Sequence, residues 1–461
     1  MKLKFTPELD PKFAPLSIAF RDYQEKLKNE ENKQKFVCAI ERSGGYSTPW
    51  SCDIFPDGTS EELTIALFDR IIKGLLWMYG GYKIKLSGSK AIYEHVKKVY
   101  TREGERAFDV DHMETVYEQP FEVEYYEDAS LIETPIESAS NIGKHLDGCR
   151  IGFDAGGSDR KVSAVIDGEP VYSEEVVWHP KINSDPQYHY DGIYTAMKTA
   201  ASHMPRVDAI GVSSAGNYVD NKIMVASLFL QVPRDEFDKH VKTMYIDIAK
   251  QFGDVPLEVA NDGDVTALAG AMNLDSGNVL GIAMGTSEAG GYVDENMHIM
   301  GWLNELAFVP IDANPDAMVD EWSGDYGCGV KYFSQDGVIK LAPAAGIELD
   351  ENLSPAEKLK VVQKKLAEGH EGAKKIFESI GVYFGYAIAY YSLFYDIKHV
   401  LILGRVTSGD GGTLILDNAQ KVLDNEFPEL AKKLELNIPD EQSRRVGQSV
   451  AAASLPEIVK K

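Results

Sequence analysis

Cysteine is scarce in this sequence, and the little there is lies scattered. Cys38, Cys52, Cys149 and Cys328 form no CxxC pair, which argues against a disulfide framework or a four-cysteine zinc site and for reduced, structural thiols. Long apolar runs are missing too. No stretch approaches the roughly 20 residues that a membrane helix needs. The opening "MKLKFTPELDPKFAPLSIAF" has a basic start but no continuous apolar core and no small-residue cleavage site. A cytoplasmic protein with no membrane partner is expected. Basic clusters are also absent. The formal net charge is -25, and no run of lysine and arginine is long enough to meet a phosphate backbone, so nucleic acid is not an expected partner. His179, His189 and His203 show no metal-ligand spacing.

What is present is an ordinary soluble composition, 44% hydrophobic and 26% charged over 461 residues. That length exceeds one core and suggests roughly two to four domains. Residues 1–146 read as a small N-terminal α/β domain. "EELTIALFDRIIKGLLWMYGG" has helical apolar spacing and ends in a glycine pair, "YKIKLSG" alternates like a strand, and a second helix and strand follow. A polar, poorly periodic linker is expected at about 129–148. From residue 150 the texture changes. "RIGFDAGGSDRKVSAVIDGEPVYSEEVVW" reads as a β-meander, "VDAIGVSSAG" as an apolar strand, "FDKHVKTMYIDIAKQFG" as an amphipathic helix and "PLEVAND" as a short strand. "SGNVLGIAMGTSEAGGYVDENMHIMG" repeats the strand–glycine turn–strand device, which suggests a duplicated α/β lobe. "ESIGVYFGYAIAYYSLFYD" reads as a buried helix and "SRRVGQSVAAASL" as a small-residue helix.

Three glycine loops follow apolar strands: "DAGGSD" (154–159), "GTSEAGG" (285–291) and "LGRVTSGDGG" (403–412). Such loops fold back tightly and present N–H groups to an anion. An acid at a strand end can hold Mg²⁺ through water. Between the first two loops lies "VANDGDVTALAGA" (259–271), with Asp262 and Asp264 where a strand stops and a helix starts. A helix start favours negative charge, so either residue can be a cap. A general base is the other reading.

The order of these segments resembles the sugar-kinase, Hsp70 and actin superfamily: phosphate loop, catalytic Asp, second phosphate loop, adenosine loop. Over about residues 150–455 the chain is similar to the ROK family of bacterial sugar kinases and repressors. The resemblance is carried by "AIGVSSAGNYVDNKIMVASL", "LEVANDGDVTALAGA", "GWLNELA" and "GCGVKYFS". It implies a two-lobed actin-like ATPase fold of ribonuclease H-like lobes, beside the separate N-terminal domain. Lobe I would span 149–272 plus about 440–461, and lobe II 273–439. It implies ATP-dependent phosphorylation of a sugar or sugar derivative in a cleft between the lobes, with MgATP as donor and a homodimer as the assembly; polyphosphate and other nucleotides stay open as donors. Asp262 matches the general base. Asn261, Glu305, Gly216 and Asn217 match sugar-binding positions. Gly156, Gly157 and Ser158 match the first phosphate loop, Gly285 and Thr286 the second, and Gly404 the adenosine loop. Asp154 matches the acid that holds Mg²⁺ through water.

The departures from the family pattern are specific. Phe308 stands where the family has a sugar-binding histidine that also serves a structural zinc. The remaining zinc positions read Glu321, Ser323 and Cys328. One thiol does not make a structural zinc site, so no zinc is expected. Val330 replaces a further sugar-binding glutamate. Arg405 replaces the second adenosine-loop glycine, and either contacts nucleotide or blocks the adenine site. "SDRK" replaces the usual Thr-Lys. Asp264, where the family has Asn, either caps the helix or touches substrate, and Glu288 either touches substrate or faces solvent. These departures carry a second expectation, a catalytically inactive sugar or nucleotide sensor or regulator. The family's repressors carry a winged-helix domain at the N-terminus. Here that block has more acids than bases and no helix–turn–helix with a basic wing, so a substrate lid or an oligomerisation domain fits it better.

Overall fold

The structure is a computed structural model that describes residues 2–137, 142–439 and 441–459. By its internal contacts the chain divides into two compact units. One comprises Met1–Ser138, Ile282–Gly290 and Trp302–Ile438; the other comprises Ala139–Gly281, Gly291–Gly301 and Pro439–Lys461. Of the expected linker, residues 138–141 lie outside the described residues, as do 440 and 460–461 of the expected lobe I. No helix among the described residues is long and apolar enough to cross a membrane.

The second unit is built on a five-stranded sheet in the order Leu257–Asn261, Ala209–Ser214, Cys149–Ala155, Asp159–Ile166, Glu169–Val177. The last three form the antiparallel meander legible in the sequence, and the first three run parallel. Gly152 and Gly211 are register partners on adjacent strands. A side chain at either would strike the backbone of the helix Glu441–Ala453, at Ser449 and Ala452 respectively. The small-residue helix and the two glycines are thus one packing device, which lets a helix lie directly on the sheet. The segment expected as one amphipathic helix after residue 236 is broken. A wide turn over Phe237–Val241 precedes the helix Met244–Ala249. The Lys242 carbonyl accepts a hydrogen bond from the Ile223 amide at 2.9 Å, which draws it away from the helical ladder.

In the first unit, residues 2–137 do not stand apart as the separate domain expected from composition. Their sheet, in the order Ser47–Ile54, Gln34–Glu41, Lys83–Ser87, Glu122–Tyr125, carries the helix Glu61–Tyr79, buried along most of its length. That helix has apolar faces on more than one side, and it spends the extra faces on residues 302–438. Trp77 packs on Phe308 at 4.4 Å between ring centroids, and Trp50 on Phe394 at 5.5 Å. Phe13 meets Tyr383 edge-on at 4.7 Å. Aromatic burial on this scale dominates a packing interface. A second four-stranded sheet has the order Glu288–Val293, Val279–Met284, His399–Leu403, Glu435–Asn437. The helices Glu371–Tyr391 and Asp410–Glu426 pack closely because Gly381 and Gly385 of the first leave room for Ile415, Ala419 and Val422 of the second.

Buried charge joins the helix Glu61–Tyr79 to the loop around residue 325. Both Asp325 oxygens lie 2.8 Å from Arg70 Nη1, and Lys73 and Arg106 approach the carboxylate to 2.7 and 2.9 Å. Lys73 also faces Asp109 at 3.7 Å, and Arg106 pairs with Asp69. Burial alone would raise the Asp325 carboxyl, but Lys73, Arg70 and Arg106 hold it far below the usual carboxylate range.

Candidate functional site

Strand register assembles the candidate residues of the second unit. In the parallel ladder Asp154 stands opposite Ser213, and Ser214 stands opposite Asn261. The carboxyl ends of three strands therefore deliver Asp154, Ser213 and the Asn261–Asp262 step to one edge of the sheet, where open parallel sheets place their ligands. Ser213 Oγ donates to Asp154 Oδ1 at 2.9 Å, and Gln448 Nε2 donates to Ser213 Oγ at 3.2 Å and to the Asp262 carbonyl at 3.4 Å.

The helix Asp262–Leu274 is capped by Asn261, not by an aspartate. Asn261 Oδ1 accepts from the Gly263 amide at 2.8 Å, and its Nδ2 donates to the Gly216 carbonyl at 2.8 Å. Two residues expected at the substrate are thereby tied to each other. Gly216 has φ 136°, and a side chain there would strike Val225 and Ala226. The adjacent Asn217 is buried. Asp264 is buried as well, and its Oδ1 accepts from the Tyr292 amide at 3.1 Å. That bond ties this helix to the following strand.

Asp262 lies in the first turn of its helix and is partly exposed. Burial of its carboxyl raises its pKa, opposed by the Gly263 and Asp262 amides and by Lys181. Asp154 is pushed up to about 6 by burial, with Lys161 and Ser213 opposing and Asp262 adding repulsion. Lys161 is the hairpin partner of Asp154, with Nζ 3.9 Å from Oδ2. The glycine turn is pinned by Trp178, whose Nε1 donates to the Gly156 carbonyl at 2.8 Å and whose amide donates to the Ser158 carbonyl at 3.1 Å. A side chain at Gly156 would strike Asp159, and one at Gly157 would strike the Lys181 side chain. Lys181 and Gln448 have no motif to announce them, and Lys161 and Ser213 sit inside quoted segments without a role assigned there. Only the Asp154–Lys161 pairing could have been found earlier, by counting the hairpin register.

The candidates of the first unit gather separately. Gly404 has φ 100°, and a side chain there would strike the Met284 backbone. This close approach brings the third glycine loop against the second, beside Gly285 and Thr286. The Gly285 amide donates to the Ser287 carbonyl, and its carbonyl accepts from Gln335, both at 2.9 Å. Arg405 is exposed, and its carbonyl accepts from Gln363 Nε2 at 2.6 Å. A cavity of about 690 Å³ lies by the helices Gln335–Leu341 and Pro355–Ala367, with Ile339, Ile347, Leu349 and Lys358 in its wall.

Glu305 is held by the N-terminal block. The amides of Leu303, Asn304 and Glu305 donate to the carbonyls of Tyr79, Met78 and Trp77 at 3.2, 2.9 and 3.0 Å. These are the last carbonyls of the helix Glu61–Tyr79, which lack partners within the helix. Asn304 has φ 52°, a conformation asparagine tolerates better than most residues. The four positions matching a zinc site do not form one. Phe308 packs on Trp77, Glu321 pairs with Lys331, Ser323 Oγ donates to Asp320 at 2.7 Å, and burial pushes the Cys328 thiol up to about 11. Among the described residues no group of three or more histidines, cysteines and acids is arranged to hold a metal ion. Asp325 and its cations fasten this loop instead.

Glu288 does not face solvent. It is 3% exposed, and neither carboxyl oxygen has a hydrogen-bond partner. Burial, with Glu305 adding repulsion, raises its pKa well above the usual range. As pH rises past the ordinary glutamate pKa, the unfolded chain loses this proton while the folded chain keeps it, so wild-type stability declines. Glu288→Gln removes that slope. The variant is expected to melt like wild type near pH 4 and to gain stability with rising pH, by up to about 1.4 kcal/mol per pH unit. Thermal melts across that range check it, and parallel curves for the two proteins would contradict it.

No protein family profile and no curated protein matches the chain. Solved structures do. A ROK family transcriptional regulator, a homologue of the E. coli MLC protein, gives a TM-score of 0.53 at 18% identity over 67% of this chain and 79% of its own. A ROK hexokinase from Thermus thermophilus gives 0.52 at 16% identity over 67% and 97%. One is a regulator and the other an enzyme, so the likeness does not choose an activity. What it shows is that about two thirds of this chain has the fold of ROK proteins.

Proposed function

We propose that the chain is an ATP-dependent sugar kinase with Asp262 as general base. The observation that carries this reading is the placement of Asp154 and Asp262 at the carboxyl ends of two parallel strands that flank the strand Ala209–Ser214, with a separate residue, Asn261, capping the helix. The proton of the attacking sugar hydroxyl passes to Asp262 as its oxygen bonds to the γ-phosphorus, and ADP leaves. Amides of the Gly156–Gly157 turn and of the loops at Gly285–Thr286 and Gly404 would receive phosphate oxygens, the Gly285 amide itself being held by the Ser287 carbonyl. The tight Gly156–Gly157 turn beside the Asp154 carboxyl suits a hydrated cation, and Asp154 would hold Mg²⁺ through water. Bound there, Mg²⁺ would neutralise phosphate charge. The cavity beside the Gln335–Leu341 helix suits an apolar nucleoside ring. Asn261, Gly216, Asn217 and Glu305 would contact the sugar.

A second reading, a sensor without turnover, is favoured by Phe308. Its ring is occupied with Trp77 and Phe108, and it brings no polar atom to a sugar. ADP release from MgATP across hexoses, amino sugars, N-acetylated sugars and sugar acids separates the two. Sugar-dependent ADP is expected. Sugar-induced thermal stabilisation with no ADP for any compound would select the sensor.

A further inference from the structure

Lys181 is a cation that the reaction as described above does not use. It stands in the short turn Pro180–Ile182, just beyond Trp178, which pins the first glycine turn through the Gly156 and Ser158 carbonyls. The backbone around Lys181 is itself fixed. The His179 amide donates to the Tyr188 hydroxyl at 2.9 Å, and Asn183 Nδ2 donates to the His179 carbonyl at 2.6 Å. The Pro180 carbonyl accepts from the Asn183 amide at 3.2 Å and lies 3.1 Å from Nε2 of the buried His189. The Lys181 side chain has no such hold. It is exposed, and among the described residues its ammonium group has neither a hydrogen bond nor a salt bridge. Lys161, by contrast, is occupied with Asp154 and Asp159 at 3.9 and 3.4 Å. The chain carries 72 acids against 47 lysines and arginines, so a polyphosphate meets a repulsive net charge and needs a local cation.

The Lys181 side chain lies across Gly157: a Cβ there would come within 2.7 Å of Lys181 Cε and 3.0 Å of Nζ. The same charge acts on the Asp262 carboxyl and favours its ionised form. One ammonium group therefore sits over the turn read as a phosphate cradle and within electrostatic reach of the residue read as the base. A phosphoryl group in transit occupies the space between those two, because the cradle holds the donor and the base holds the attacking hydroxyl.

We propose that Lys181 Nζ contacts the γ-phosphate of the donor and stabilises the charge on the phosphoryl group as it is transferred. This deepens the kinase reading and rests on it for the identity of the anion. As the sugar oxygen bonds to the γ-phosphorus, the bond to the oxygen that bridges to the β-phosphate breaks, and the hydroxyl proton goes to Asp262. Lys181 keeps its own protons throughout and donates N–H bonds to the equatorial oxygens.

The test compares the whole chain with Lys181→Met and Lys181→Arg in two measurements. The side chain is exposed and its turn is held by other residues, so both variants should melt with wild type. Calorimetric titration with MgATP and with MgADP, without sugar, reads the contact. Wild type is expected to bind MgATP about 10–100-fold more tightly than MgADP, as a charge-assisted hydrogen bond to the terminal phosphate implies. Lys181→Met should lose that margin and keep its affinity for MgADP, and Lys181→Arg should keep most of the margin. Sugar-dependent ADP release reads the chemistry. Its kcat is expected to fall about 10²–10³-fold in Lys181→Met, with the sugar KM little changed. The proposal fails if wild type shows no margin for the triphosphate, or if the margin survives in Lys181→Met. The kinase reading is judged on wild type alone. A margin that depends on Lys181, with no ADP released for any sugar, sustains the contact and overturns the kinase. ADP release that is undiminished in Lys181→Met does the reverse.

Discussion

Asp262→Asn should reduce sugar-dependent ADP release from MgATP by about 10²–10⁴-fold, the usual contribution of a positioned general base. The substitution is chosen because it changes so little else. The cap of the helix belongs to Asn261, whose Oδ1 already holds the Gly263 amide. An asparagine at 262 keeps the shape and an acceptor oxygen, and loses only the ability to take a proton. Removing the charge also lifts the repulsion on Asp154, so Mg²⁺-nucleotide binding should change modestly while turnover collapses. A drop in kcat with a nearly unchanged KM for the sugar is therefore the expected signature. Unchanged turnover would remove Asp262 from the chemistry and with it the proposed mechanism.

Asp325→Asn should cost about 3–5 kcal/mol of stability, read from urea unfolding followed by tryptophan fluorescence. Removing one partner of a buried ion pair is that damaging because the other partner stays buried and uncompensated. Here three cations, Arg70, Lys73 and Arg106, close on one carboxylate. Asp69 and Asp109 keep contact with two of them, but Arg70 has no second carboxylate in salt-bridge range among the described residues. The same cluster predicts acid sensitivity. The depressed Asp325 pKa contributes stability above the ordinary carboxylate range, and that contribution is lost as pH falls through the folded value. A loss below about 1 kcal/mol would mean that packing of Trp77, Phe308 and Phe108 alone fastens the loop.

The reach of the sequence is clearest at the glycine loops. "DAGGSD", "GTSEAGG" and "LGRVTSGDGG" each follow an apolar run, and each forms a turn after a strand. This succeeds because tight turns and strand alternation are local properties, legible within a few residues. The charges in "FDRIIKGLLWMYGG" were legible too, yet their meaning was not. Asp69, Arg70 and Lys73 sit within an otherwise apolar helix, and only the partners at Asp325, Arg106 and Asp109 explain them. Separation in sequence hid those partners. The same holds for Glu288, where solvent and substrate were both open readings until burial removed the first.

By itself, then, the sequence determined the α/β elements, the order of the glycine loops and the helix start at Asn261–Asp262. Each depends on backbone preference and periodicity over short windows. Tertiary structure alone decided that residues 2–137 pack with 302–438, because their aromatic faces are complementary only once folded. It decided that the Glu61–Tyr79 helix ends on Glu305, because unpaired carbonyls at a helix terminus take whatever amide is brought to them. It also decided that Asp264 accepts from the Tyr292 amide while the cap falls to Asn261 and leaves Asp262 outside it. The two differ by two positions in a helix, and that turns their side chains to different neighbours.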